Sequence, residues 1–224
     1  MAIFHGQQPA HLTYLKKQTR LMLNFDFSRQ YVLEDELVRL SPLGLEHIEK
    51  LSQFADDSSI WVYFLEKANG QEAFSRYIKN AIDSRKLEKE YPFVILDKRT
   101  QQFAGTTRIY EVIPDLRSIK MGHTWYGSAF QGTGLNKHCK YLLFEFAFET
   151  VGAARVGFGV HGDNTRSLRA MESVGCKKEG SLRDFLPKVH QIGRTDLVLY
   201  SLLQQEWIDD VKKKLQLKMK LKST

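Results

Sequence analysis

The chain is short of what several protein classes need. Two cysteines, Cys139 and Cys176, occur in 224 residues. That excludes a disulfide framework of the small secreted kind. They stand far apart in sequence, and no two histidines have the spacing of a helical metal pair, so no metal is expected. No apolar run approaches the roughly 20 residues that cross a bilayer. The opening residues, MAIFHGQQPAHLTYLKK, lack the basic-then-apolar order of a secretion leader. No repeat period, low-complexity tract or linker divides the chain. Acid is also scarce relative to base: 26 Asp and Glu stand against 33 Lys and Arg, a formal charge of +7. A cytoplasmic protein without a membrane partner is the expectation.

What is present suits one folded domain. Hydrophobic residues make up 42%, with 14 Phe and 9 Tyr to fill a core. The basic excess fits nucleic acid, an acidic membrane surface or a small polyanion. Much of it lies in Lys212, Lys213, Lys214, Lys218, Lys220 and Lys222. No aromatic platform interleaves these lysines, so they read as a solvated helix face and no nucleic-acid partner is expected. Residues 1–28 read as an N-terminal extension, with Met22 as an alternative start. Residues 29–210 form the domain, and 211–224 a basic tail.

Patterning along the chain sets an order of elements. Tyr31 to Leu40 reads as a first strand. Ser41-Pro42 offers a cap and an early helical proline, followed by Leu45, Ile48, Leu51 and Phe54 on one helix face. Ile60 to Phe64 is an aromatic stretch, either core or the wall of an acceptor pocket. Asn69 and Glu72 have capping-box spacing before Ala73, Phe74, Tyr77, Ile78, Ala81 and Ile82. Pro92–Leu96 and Phe103–Tyr110 read as a hairpin, and Ile119–Tyr126 as a third strand. A helix then carries Leu135, Cys139, Leu142, Leu143, Phe146 and Ala147 on one face. Arg155–Val160 is a strand whose glycines signal close approach by a ligand or backbone. Asp163-Asn164 caps a helix from Thr165 to Val174, stopped by Gly175. Lys178–Phe185 and Asp196–Leu203 are two more strands, and a helix begins near Trp207. The class is α/β with a mixed sheet.

The chemistry concentrates in Gln131-Gly132-Thr133-Gly134-Leu135-Asn136, a glycine turn between a strand and a helix. The first N–H groups of a helix lack intrahelical partners, and its dipole favours an anion there. The kinase-type phosphate loop is excluded, because Leu135-Asn136 follows the second glycine in place of Lys-Ser or Lys-Thr. The dinucleotide fingerprint is excluded, because Lys137 takes the place of its third glycine. There is no nucleophile-elbow serine.

The Gln131-x-x-Gly134-x-Asn136 turn resembles the pyrophosphate loop of the GNAT superfamily of acyl-CoA-dependent N-acetyltransferases, with Asn136 departing from a usually small last position. Asn164-x-x-Ser167, with Glu172 and Gly175, resembles the RimJ/RimL branch, as do Ala147-Phe148-Glu149 and Ser201 to Trp207. The resemblance spans Tyr31 to Trp207. It implies a GNAT-type acyltransferase fold, with helices flanking a central mixed sheet. Two parallel strands, Ile119–Tyr126 and Arg155–Val160, splay apart in it. It implies acetyl-CoA as cosubstrate, its diphosphate on Gln131, Gly132, Thr133, Gly134, Leu135 and Asn136, its pantetheine or an ordered water near Asn164, and a primary amine as acceptor. A homodimer is left open.

Ser167 takes the acid role by its place in the motif; its other reading is a first-turn residue bonding backbone. Where the branch often carries a Glu before the glycine of the first splayed strand, this chain has Lys120-Met121-Gly122. Lysine is a poor base at neutral pH, and this departure motivates an alternative: an acyl-CoA-binding sensor without turnover. His123 is the candidate base, grouped by alternation with Met121 and Trp125. His161 is a weaker candidate, and Glu111 one acting through water. Arg166, Arg169 and Lys137 are candidates for CoA phosphates.

Overall fold

The computed structural model describes residues 22–220. Expectations for Met1 to Leu21 and for Lys222 therefore fall outside the described residues. Eight strands form one sheet in the order β1-β2-β3-β4-β5-β6-β8-β7. The first half runs through β1 (Leu33–Glu34), β2 (Val38–Pro42), α1 (His47–Leu51), α2 (Ser58–Trp61) and α3 (Gln71–Lys86). Next come β3 (Glu90–Asp97), β4 (Gln102–Ile113), β5 (Ser118–Tyr126) and α4 (Leu135–Glu145). The chain closes with β6 (Arg155–His161), α5 (Thr165–Ser173), β7 (Lys177–Pro187), β8 (Arg194–Leu203) and α6 (Lys212–Lys220). Neighbouring strands are antiparallel except β5 and β6, which run parallel.

The expected first strand is two strands. Asp35 breaks it, because its Oδ1 accepts the N–H groups of Leu37 and Val38 at 2.9 Å each and closes a turn. Ser41 and Pro42 do not open a helix. They continue β2 against Val94 and Phe93. The helix starts later, at His47, and Leu45 is left 60% exposed. Asn69 does not cap α3 either. The N-cap is Gly70, at φ +83°, whose N–H bonds the Ala55 carbonyl at 2.9 Å. The apolar face expected for α3 holds, with Phe74, Tyr77, Ile78 and Ala81 buried.

The sheet is covered on both faces. The Arg108 guanidinium of β4 lies 4.5 Å from the Tyr77 ring of α3, which marks one face. The Tyr126 hydroxyl of β5 donates to Asn136 of α4, which marks the other. On α4, Leu135, Cys139, Leu142 and Leu143 are buried, as the periodicity requires. The helix widens into a π turn, Phe146–Thr150.

The C-terminal segment is docked on α4. Trp207 is fully buried beside Tyr141, Phe144 and Phe148, with ring centroids 5.4–6.0 Å apart. Its indole N–H donates to Glu149 at 2.7 Å. Lys212 reaches Glu145 and Glu149 at 3.1 and 2.8 Å, and Lys214 reaches Asp210 at 2.7 Å. At the other end, Leu23 is buried, and Phe25 and Phe27 pack on the same core.

Trp207→Ala should lower unfolding stability by about 3–5 kcal/mol, since it removes a large buried ring and leaves Glu149 short of a donor. Trp207→Phe should cost less. Urea denaturation of both variants measures the difference.

Candidate active site

The site begins where β5 and β6 stop pairing. Their register is Ser118 with Arg155, Ile119 with Val156 and Lys120 with Gly157, and there it ends. β5 continues to Tyr126 and β6 to His161. From Met121 onward, therefore, the β6-facing backbone of β5 has no strand partner on that side. This is the parting of parallel strands that the resemblance implies.

A bulge lies at the same point. Arg108 pairs with Gly122 and Thr106 with Trp125, so His123 and Thr124 together oppose Thr107. Such an insertion bends and twists a strand and re-aims its side chains. It overturns the alternation expected for β5. Met121 pairs with Ile109 and Trp125 with Thr106, which places those two on opposite faces. His123 does not share a face with Met121. It sits at φ +48°, a left-handed backbone that costs a non-glycine residue about 1 kcal/mol and concentrates at functional sites.

The re-aimed imidazole meets Tyr110 of β4 and Phe64 of the α2–α3 connection, at ring separations of 5.4 and 6.4 Å. Gly122 makes room for this. A Cβ there would stand 3.0 Å from the Tyr110 ring. The His123 Nε2 is 3.9 Å from Glu90 Oε1, and the other carboxylate oxygen of Glu90 accepts from Arg108 at 2.7 Å. Burial against these rings lowers the His123 pKa, Arg108 lowers it further, and Glu90 acts in the opposite direction. The result is a neutral imidazole, 38% exposed, at the mouth of the gap. Burial, Glu111 and Glu90 push the Tyr110 phenol up to about 12, so it stays protonated.

Lys120 and Glu111, the other sequence candidates, neutralise each other at 2.6 Å. His161 has both ring nitrogens engaged: Nδ1 accepts the Asp163 N–H at 3.2 Å, and Nε2 donates to the Pro187 carbonyl at 3.0 Å. Glu90 and Arg108 were missed in the sequence. Glu90 is a polar residue at the very start of β3, and strand patterning discounts it. Arg108 left a signal, a cation within the apolar β4 pattern.

The glycine turn has the shape the anion reading needs. Gly132 and Gly134 have φ of +76° and +91°, and nothing lies within 4 Å of where their side chains would stand. Gly134 is the N-cap of α4, and no side chain caps that end. The Gln131 side chain folds back, its Nε2 donating to Tyr126 at 2.9 Å, and its Oε1 accepts from Arg166 of α5. The Thr133 hydroxyl donates to the Phe130 carbonyl at 2.8 Å. Asn136 turns toward Tyr126, with its Oδ1 accepting the phenol at 3.2 Å, and so leaves the turn uncovered. Across the gap, Asn164 caps α5 by accepting the Ser167 N–H at 3.0 Å. That bond fixes Ser167 in the first turn of α5, and Arg166 ties α5 to the glycine turn.

Other reactive side chains are set apart. Burial pushes the Cys139 and Cys176 thiols up to about 12, which removes them as nucleophiles. Asp35, Glu36 and His138 come together near α4, and Asp35 bonds His138 at 2.6 Å. That bond ties the β1–β2 turn to the first turn of α4.

Comparison with known proteins finds matches in sequence and in fold. The Acetyltransferase (GNAT) domain family matches residues 38–177. An uncharacterized N-acetyltransferase, p20, of Bacillus licheniformis is 24% identical over 176 residues, spanning 78% of this chain and 97% of that protein. A Bacillus subtilis relative named "Putative ribosomal N-acetyltransferase YdaF" is 32% identical over 93 residues, 41% of this chain and 48% of its own. A GCN5-related N-acetyltransferase from Brucella melitensis superposes with a TM-score of 0.79 at 22% identity, covering 91% of this chain and 90% of its own. Mycobacterium smegmatis RimJ, solved in complex with CoA-disulfide, superposes with a TM-score of 0.69 at 21% identity, covering 84% and 93%.

Glu90→Gln should move the His123 pKa further down, because it removes the one neighbouring charge that raises it. NMR titration of the imidazole carbon-bound protons reads this directly. An unchanged or raised value would contradict the described environment.

Proposed function

The chain belongs to the GNAT acetyltransferase family, in which it resembles the RimJ/RimL-like branch, and on that premise we propose that it moves an acetyl group from acetyl-CoA to a primary amine, on a protein N-terminus or a small molecule. One observation carries the proposal. β5 and β6 part beyond Lys120 and Gly157, and a neutral histidine stands at the opening.

The diphosphate of acetyl-CoA would rest on the amides of Gln131 to Asn136, where two positive-φ glycines leave the backbone open and the α4 dipole adds attraction. The pantetheine arm would enter between β5 and β6, near Asn164. An N–H on the unpaired side of β5 would hold the thioester carbonyl and favour the charge that grows on its oxygen. The amine then attacks the carbonyl carbon. A C–N bond forms, the C–S bond breaks, and the electron pair leaves on sulfur.

Two proton movements complete the reaction. His123 takes the proton from the attacking amine, a role its depressed pKa suits at neutral pH. Ser167, held one turn into α5, is the donor to the departing thiolate. Lys120 does not act as a base, because it is paired with Glu111. Holding both reactants in the gap supplies the rest of the acceleration, so no covalent enzyme intermediate is required.

A thiol-release assay over a panel of amines and peptides tests the proposal. The expected kcat/KM falls on the acid side as His123 gains a proton, with its midpoint below the ordinary histidine value of 6.5. His123→Gln should remove that acid limb and lower kcat by about 10²-fold or more. Ser167→Ala should lower kcat on a similar scale while leaving acetyl-CoA affinity nearly unchanged. Retention of full turnover by either variant would reject its assigned role. Absence of acetyl-CoA binding in calorimetry would reject the whole reading.

A further inference from the structure

Two hollows stand out among the described residues. The larger, about 430 Å³, lies against the C-terminal helix and mixes Glu172, Glu206, Asp209 and Asp210 with Lys177, Lys214 and Lys218. It is remote from the site, and its mixed charges pair with one another, Lys177 with Glu206 and Lys214 with Asp210. The smaller, about 160 Å³, lies between the segment Val62–Lys67 and the residues just after β7. It adjoins the chemistry. Phe64 on its wall faces His123, and Tyr63 on the same wall stacks near His161, at the end of β6.

We propose that this cleft seats the acceptor, and that the acceptor is an amine bearing a carboxylate, an apolar amino acid being the chemical class it fits. The inference rests on the acetyl-transfer reading and narrows its substrate. Its basis is the lining. Val62, Tyr63, Phe64, Leu65, Pro187 and Val189 supply apolar walls, His161 adds an imidazole, Lys67 and Lys188 supply charge, and no Asp or Glu lines the cleft. Two lysines with no carboxylate beside them in the lining disfavour a polyamine and favour an anion.

Lys67 is the better positioned of the two cations. Its ammonium donates to the Trp61 and Val62 carbonyls at 2.7 and 2.8 Å. An ammonium has three N–H donors, so one is left for a guest. Burial lowers its pKa, a cost that an anionic guest would offset. Lys188, from the segment after β7, lines the same cleft.

The way from cleft to gap runs along β6, bordered by Lys120 at Gly157 and by Leu197 at Gly159. Gly157 and Gly159 alternate with Phe158 along β6, on the same face as His161. Between Arg155 and His161, β6 itself raises no side chain on that face. An amino acid with its carboxylate at the lysines and its side chain on Tyr63 and Phe64 would direct its amine toward the β5–β6 opening.

The experiment uses the full chain, acetyl-CoA and two matched acceptors, phenylalanine and phenylalaninamide, in the wild type and in Lys188→Ala. The amine basicities of the acceptors differ, but they are the same for both proteins, so the ratio between proteins decides. Lys188→Ala is expected to raise KM for phenylalanine about fivefold, the scale of one half-exposed charge pair, and to leave the amide unchanged. An equal change for both acceptors, or no change for either, overturns the proposal. If no amine releases thiol, the transfer reading fails, and the cleft is tested by binding alone. N-acetylphenylalanine should then perturb the NMR signals of Tyr63, Phe64 and Lys188, and N-acetylphenylalaninamide should not. No perturbation at these residues, or the same perturbation from both, overturns the cleft assignment.

Discussion

Parallel pairing between β5 and β6 lasts for three residue pairs, and everything at the site depends on its ending there. A continuous ladder would satisfy the β5 backbone and close the sheet. The bulge at His123 prevents this by adding a residue against β4 and bending β5 away. The backbone groups freed on one side of β5 are what a thioester carbonyl needs, and the freed space is what a long thin cosubstrate needs. The same bulge turns His123 toward the α3 face, where Tyr110, Phe64 and Glu90 surround it. One local defect in a strand therefore makes the opening and equips it.

Charge is arranged around this opening in a graded way. Arg108 is buried, and Glu90 compensates it at 2.7 Å, so the pair adds little net field while tuning the histidine from both sides. Lys120 and Glu111 cancel nearer the surface. The glycine turn presents amides in place of side-chain cations, with the α4 dipole behind them. Tethers hold the pieces in place. Asp35 joins the first hairpin to α4, and Arg166 joins α5 to the turn. The Trp207 ring and Lys212 lock the C-terminal helix onto the far end of α4. The helix that would bind the diphosphate is held along its length.

Much of the frame was legible from local pattern. The faces of α3 and α4, the hairpin of β3 and β4, the cap of α5 and the glycine turn each rest on residues close in sequence, where periodicity and cap chemistry act. The errors have equally local causes. Asp35 ends a strand by accepting two N–H groups, a contact invisible to an apolar count. Ser41-Pro42 carries a helix-start pattern, yet pairing with β3 outweighs it. Within Ile60 to Phe64 the burial is uneven. Ile60 and Trp61 are core, while Tyr63 and Phe64 line the cleft.

By itself the sequence determined the α/β class, the turn and helix suited to a diphosphate, the Asn164 cap with Ser167 behind it, and the absence of a carboxylate at position 120. These follow from backbone preferences and chemistry within a few residues. Only the tertiary structure decided which way His123 points, because a bulge depends on the register of two strands and reverses the alternation that sequence spacing implies. It alone brought Glu90 and Arg108 to that histidine, from strands that begin about 30 and 20 residues earlier. It also brought Lys67 and Lys188 to one cleft. Side chains that far apart along the chain become neighbours only through sheet order and packing.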